Sequence, residues 1–237
     1  MGEGIGNDKD IMPFITSANI ACGYHAGDEA TMRQTILLAK KYNVNIGAHL
    51  SFLDKENFGR IEMKCPPEEV YNLVQTQLLV FKTIADECRV VMHHVKPHGA
   101  LYNQSAKDSA IAKAIAYAVK DFDKTFILFG LSGSISITEA KAVGLKTWSE
   151  VFADRTYQDD GSLTARSQPN ALIEEEEKAV GQVLQMVQSK TVKTVSGKDL
   201  PIIAETVCLH GDGKHAVQFA KNIYHTLQQH YFVSKDL

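Results

Sequence analysis

Apolar and polar positions along this chain follow two rhythms. Alternating, β-rich runs lie at Ala18–Gly23, Val44–Ala48, Val90–Val95, Phe126–Gly130, Leu145–Val151 and Thr206–His210. Between them apolar residues recur every three or four positions. This spacing predicts helices over Asp28–Tyr42, Pro66–Glu87, Ser105–Asp121, Ser134–Ala142, Asn170–Ser189 and Gly213–Gln229. Pro66 and Pro67 suit a first helical turn, and Glu68 and Glu69 suit its positive end. Regular strand–helix alternation predicts an α/β fold with a mainly parallel sheet, closed into a barrel or doubly wound. Thr191–Ile203, centred on Ser196-Gly197-Lys198-Asp199, reads as a hairpin inserted before the last strand, and Gln158–Pro169 as a polar loop. No composition shift divides the chain, so one domain over residues 1–237 is expected.

The strands differ on their two faces. One parity of the first run carries Ser17, Asn19, Ala21, Gly23 and His25; the other carries Ala18, Ile20, Cys22 and Tyr24. The second run sets Asn45, Gly47, His49 and Ser51 against Ile46, Ala48 and Leu50. His94, Lys96 and His98 share a parity, as do Thr206, Cys208, His210 and Asp212, while His93 faces the other way. Alternate side chains point to opposite faces of a sheet. Each strand therefore has an apolar face for helices and a small or polar face bearing a histidine. A barrel interior filled only for stability would carry Val, Ile and Leu there, so these residues predict a wet, ligand-accepting pit.

Composition narrows the class. The chain has 237 residues, ordinary for one α/β barrel, and 44% hydrophobic with 22% charged residues supports a sizeable core. A net charge of −3 without a Lys/Arg block argues against nucleic acid as a partner and favours small soluble substrates. The apolar runs fall well short of the ~20 residues that span a bilayer, and no signal peptide is recognised. The four cysteines form no Cys-x-x-Cys pair; Cys22 and Cys208 sit in apolar runs as buried free thiols, which favours a cytoplasmic location.

Candidate chemistry gathers at the carboxyl ends of the strands, where catalytic groups of α/β enzymes collect. His25, His49, His98 and His210 all fall there, whereas His215, His225 and His230 lie on a surface-like helix. Asp28 and Asp212 follow His25 and His210 at helix starts, and read either as N-caps or as carboxylates that orient an imidazole. Lys96 supplies a fixed cation and His98 a proton carrier. Asn19, Arg60, Glu150 and Arg155 are substrate-binding candidates; Arg155 either grips a carboxylate or pairs with Asp154. Phosphate-loop, dinucleotide-binding and serine-elbow motifs are all missing from the sequence.

Taken in order, these strings resemble the LamB/YcsF family. The resemblance rests on Ser17–Asp28, Ile46–His49, Phe58-Gly59-Arg60, Val95–Asn103, Phe152–Arg155 with Tyr157, Gly161 and Arg166, and Cys208–Asp212. It implies a distorted seven-stranded, TIM-like β/α barrel of the glycoside hydrolase/deacetylase type. It also implies ATP-dependent opening of 5-oxoproline to glutamate, together with B and C subunits. The sequence departs from the family pattern at Leu50, at Ile61 and at Gly213-Lys214. At the start, Met1 directly precedes Gly2-Glu3-Gly4, where the family has a strand ending in an acidic residue. An absent first strand, with an open seam between Ala18–Gly23 and Thr206–His210, is therefore expected.

A five-membered lactam is a poor electrophile, and phosphorylating its amide oxygen would create a leaving group. The site then needs a base for water (His25, His49 or His98), with Asp28 or Asp212 orienting it, and Lys96 and Arg155 for negative charge. Two rivals stand beside this reading. One is a metal-dependent deacetylase or amidohydrolase in which His25, His49 and an acidic residue hold a divalent ion. The other is a non-catalytic subunit that binds a small acid.

Overall fold

The computed structural model describes residues 1–213 and 215–230, so Lys214 lies outside the described residues. Six parallel strands form a curled sheet in the spatial order β1 (Ser17–Ala21), β2 (Asn45–Leu50), β3 (Met92–Pro97), β4 (Ile127–Leu131), β5 (Lys146–Phe152) and β8 (Thr206–Cys208). The helices are α1 (Asp8–Ile11), α2 (Glu29–Lys41), α3 (Pro67–Glu87), α4 (Gly99–Lys107), α5 (Ser109–Phe122), α6 (Ile135–Ala142), α7 (Glu176–Leu184) and α8 (Ala216–Gln229). Strands β6 (Thr191–Lys193) and β7 (Asp199–Pro201) pair antiparallel as the expected hairpin.

The apolar strand faces meet the helices as their alternation requires. Ala18, Ile20, Ile46, Ala48, Leu50, Val95 and Leu128 pack with Met32, Ile36, Val74, Leu78, Phe81 and Ile115 in one core. Val151, Phe152, Val183, Met186, Val192, Phe219 and Ile223 belong to a second. Each fully buried aliphatic or aromatic side chain contributes about 1.5–3 kcal/mol. The cores divide the sheet into a β1–β4 half and a β5–β8 half.

Three local details differ from the sequence expectation. The helix expected over Ser105–Asp121 is two helices, because Asp108 leaves the helical conformation and its Oδ1 accepts from the amides of Ala110 and Ile111, capping α5. Helix α7 starts at Glu176 rather than near Asn170, since Leu172 bridges Arg155 and the Ile173 amide donates to the Asp154 carbonyl. Strand β3 shifts register against β2 between Ile46 and Gly47, with Met92 and His94 as successive partners. His93 is the extra residue of that bulge and lies beside Trp148.

The sheet edges are β1 and β8, and no pairing joins them among the described residues. Met1 lies along the outer side of β1: its amino group donates to the Asn19 carbonyl at 2.9 Å, and its carbonyl accepts from the Ala21 amide at 3.0 Å. The seam is bridged by packing, with Ile11, Phe14 and Ile15 against Ala216, Ala220 and Leu209.

Candidate functional site

Small residues on the inner strand faces make room for rings. A Cβ on Gly47 would lie 2.2 Å from the His94 imidazole. His94 is fully buried, stacks on Phe129 at 4.2 Å, and has Nε2 3.0 Å from Asn19 Oδ1. Above this layer the pit and the β1–β8 seam merge into one cavity of about 680 Å³. Glu3, His49, Lys96, His98, Glu150 and His210 are among its walls.

His25, His49 and His98 converge from the ends of β1, β2 and β3. His25 and His98 stack at 3.8 Å, and His49 stands edge-on to both. The loop Asn57–Arg60 closes over them. Gly59 has φ +66°, and a Cβ there would meet Ser51 Oγ at 2.2 Å and His25 at 2.9 Å, so only glycine lets the loop approach this closely. That approach places the Phe58 carbonyl 2.8 Å from His98 Nε2. His49 Nδ1 lies 3.0 Å from the Lys96 carbonyl, and His98 Nδ1 lies 2.9 Å from His49 Nε2. Glu3 completes the group, its Oε1 3.6 Å from His25 Nε2. Burial lowers the pKa of His25, and lowers those of His49 and His98 well below the ordinary histidine value. Burial alone would raise Glu3, but the Met1 amino group and His25 outweigh it and bring its pKa down to about 2.

The opposite wall is built from ion pairs. Lys96 Nζ lies 2.7 Å from Glu150 Oε1 and 3.1 Å from Cys208 Sγ, over the rings of Tyr102 and Phe152. Burial alone would lower the Lys96 pKa; Cys208 and Glu150 raise it instead. Burial pushes the Cys208 thiol up to about 12, so at neutral pH Glu150 is the counter-ion. At the end of β8, His210 Nδ1 lies 3.0 Å from the Asp154 carboxylate, which also accepts from the His210 amide at 3.1 Å. This holds the ring with Nε2 as its proton-accepting atom. At the mouth Arg60 pairs with Asp212 at 2.7 Å and lies over the Phe58 ring.

The sequence matches the LamB/YcsF family over residues 1–236. The chain belongs to the LamB/YcsF family. It is 52% identical over 231 residues to the A subunit of 5-oxoprolinase from Geobacillus kaustophilus (strain HTA426), covering 96% of this chain and 90% of that protein. It is 51% identical over 225 residues to the corresponding 5-oxoprolinase chain of Tolumonas auensis, covering 95% and 90%. Among solved structures, the lactam utilization protein from Thermus thermophilus superposes with a TM-score of 0.90 at 37% identity, covering 98% of this chain and 94% of that one.

Within this family member, several site candidates take roles other than those expected. Asp28 does not orient an imidazole: it is exposed and caps α2, accepting from the Thr31 amide at 2.8 Å. Asp212 is committed to Arg60 rather than to a histidine. Arg155 neither pairs with Asp154 nor extends toward a carboxylate; its guanidinium donates to the carbonyls of Ala171 at 3.2 Å and Thr164 at 2.5 Å, anchoring the loop before α7. Lys96 is closed into its pair with Glu150. Asn19 orients His94.

Three residues of the site escape sequence reasoning. Glu3 stands in a Gly-Glu-Gly turn with no periodicity to recommend it. Asp154 reads in sequence as a partner for the adjacent Arg155, although its strand parity with Glu150 points it inward. Arg166 lines the cavity mouth from the loop between β5 and α7, and its place in the family strings is its only signal.

Proposed function

We propose that this chain is the A subunit of an ATP-dependent 5-oxoprolinase, a hydrolase that opens a cyclic amide to yield glutamate. One observation carries the reading: more than half the residues are identical, over nearly the full length, to proteins named as the A subunit of 5-oxoprolinase. The cavity supports it chemically. His210, oriented by Asp154, takes a proton from the attacking water. On the same wall, the protonated Lys96 of the Lys96–Glu150 pair faces the developing oxyanion. Arg60 and Arg166 draw anionic groups to the mouth. ATP is the co-substrate of the assembly, and the B and C subunits supply the phosphoryl chemistry for which this chain has no recognisable loop. The reading includes a cytoplasmic location, one domain over residues 1–237, and a seven-stranded closed barrel. Among the described residues no helix is long and apolar enough to cross a membrane.

The test is 5-oxoproline-dependent ATP hydrolysis, measured for the chain alone and after mixing with purified B and C subunits. The chain alone should show little or no turnover and the mixture should show it. In the mixture, Asp154→Asn should lower turnover about 100-fold or more with little change in stability, because one acceptor oxygen becomes an NH2 donor and the carboxylate that fixes the imidazole tautomer is lost. Strong activity in the isolated chain overturns the division of labour. Normal turnover by Asp154→Asn overturns the assignment of His210 as the base.

A further inference from the structure

We propose that Glu3, His25, His49 and His98 bind a single zinc-type divalent cation. The ligand-bearing atoms of these four residues all lie within 4.8 Å of one another, and the three imidazoles are buried. The inference deepens the oxoprolinase reading by naming an ion for the same cavity. Its test requires no turnover, so the two readings fail separately.

The argument is one of counting protons. A backbone carbonyl can only accept, so the contact with the Lys96 carbonyl puts the His49 proton on Nδ1, and the contact with the Phe58 carbonyl puts the His98 proton on Nε2. A neutral imidazole has one N–H. That leaves His49 Nε2 and His98 Nδ1 as bare lone pairs facing each other at 2.9 Å. Two lone pairs at this distance repel unless an electrophile lies between them. A proton would put a charge on one of two imidazoles that are only 8% and 7% exposed, which desolvation opposes. A metal ion bonds to both lone pairs and leaves the far N–H groups on carbonyls, the usual outer arrangement of metal-bound histidine.

The remaining ligands point the same way. His25 is 1% exposed, and neither of its ring nitrogens has a hydrogen-bond partner among the described residues. A buried polar group in that condition is costly unless something satisfies it. Its Nε2 lies 3.6 Å from Glu3 Oε1. Ligand atoms around a tetrahedral zinc are about 3.3 Å apart, so the 2.9 Å and 3.6 Å separations bracket the required spacing. Three neutral imidazoles and one carboxylate form a nitrogen-rich donor set that suits zinc better than magnesium or calcium. Zinc competes for Glu3 with the Met1 amino group, 3.7 Å away.

Titration of the chelator-stripped full chain with Zn²⁺, in competition with a chromogenic chelator, should give one tight equivalent. Cobalt(II) in its place should show the absorption of a four-coordinate ion. His49→Asn and His98→Asn should each weaken zinc binding at least about 100-fold, while His225→Ala, on an exposed face of α8, should leave it unchanged. Long-range ¹⁵N–¹H spectra of the unmutated protein provide a reading that does not depend on variants folding: zinc should move His49 Nε2 and His98 Nδ1 and leave both far N–H groups in place. Absence of tight binding, binding that survives both Asn substitutions, or ring nitrogens that do not respond would each overturn the proposal.

Discussion

On the β5–β8 side of the cavity, the buried charges come in complementary sets: Lys96 with Glu150, and Asp154 with His210. On the β1–β3 side, three buried imidazoles are held neutral, and among the described residues a single carboxylate, Glu3, stands beside them. Both walls come from the same pattern of small or polar residues on inward strand faces. They differ in who supplies the counter-charge. Glu150 and Asp154 extend from the same strand end and meet partners across the sheet, so the protein closes its own electrostatics there. The histidine wall has more acceptors than protons to share among them. The first wall is suited to hold a fixed charge pattern against a substrate, the second to take up a cation.

The largest effect expected from breaking this contrast is on the ion-paired wall. Lys96→Met leaves Glu150, 1% exposed, charged and without its partner. That should cost about 3–5 kcal/mol in urea unfolding, and adding Glu150→Gln should restore much of it. Simple additivity of the two substitutions would show that the pair is not coupled. Activity lost in Lys96→Met alone therefore mixes chemistry with instability, and the double variant separates them.

A smaller effect sharpens the other wall through His94, which lies beneath it. Burial holds the folded-state pKa of His94 well below its ordinary 6.5. Below that pH the unfolded chain binds a proton that the folded chain refuses, so stability rises with pH through this window and is lost as pH falls from 6.5 toward the folded value. The contribution is about 1.4 kcal/mol per pH unit. His94→Gln should remove that slope. The other buried histidines contribute equally to both proteins and cancel in the difference. Urea midpoints compared at neutral pH and about one unit below 6.5 would check this; parallel curves for the two proteins would contradict it.

The smallest effect lies outside both walls. Asp28→Ala should lower the melting temperature by a few degrees at most, as expected for a lost helix cap, and leave turnover of the reconstituted assembly unchanged. A large loss of turnover would return Asp28 to the site.

What is legible in the sequence is local. Period-two alternation locates all six strands to within a few residues and assigns their polar faces inward, because neighbouring side chains of a strand are bound to opposite sides by backbone geometry alone. The inward placement of His49, Lys96 and His98 follows from that rule, and turn chemistry places the hairpin at β6 and β7. The bulge at His93 breaks the rule for one residue, since a register shift depends on the partner strand. The chemistry is decided across long separations. Asp154 and His210 are 56 residues apart, Lys96 and Glu150 are separated by a similar stretch, and neither pairing leaves a periodic trace. Whether Asp28 caps or orients, and whether Arg155 grips a substrate or a loop, depends on which backbone groups come within hydrogen-bond reach. The proton arrangement of His49 and His98 depends on two carbonyls, from Lys96 and Phe58, which no side-chain pattern can reveal because every residue carries one. Sequence alone determined which faces of the strands would be polar; tertiary structure decided which polar groups satisfy one another and which are left for a ligand.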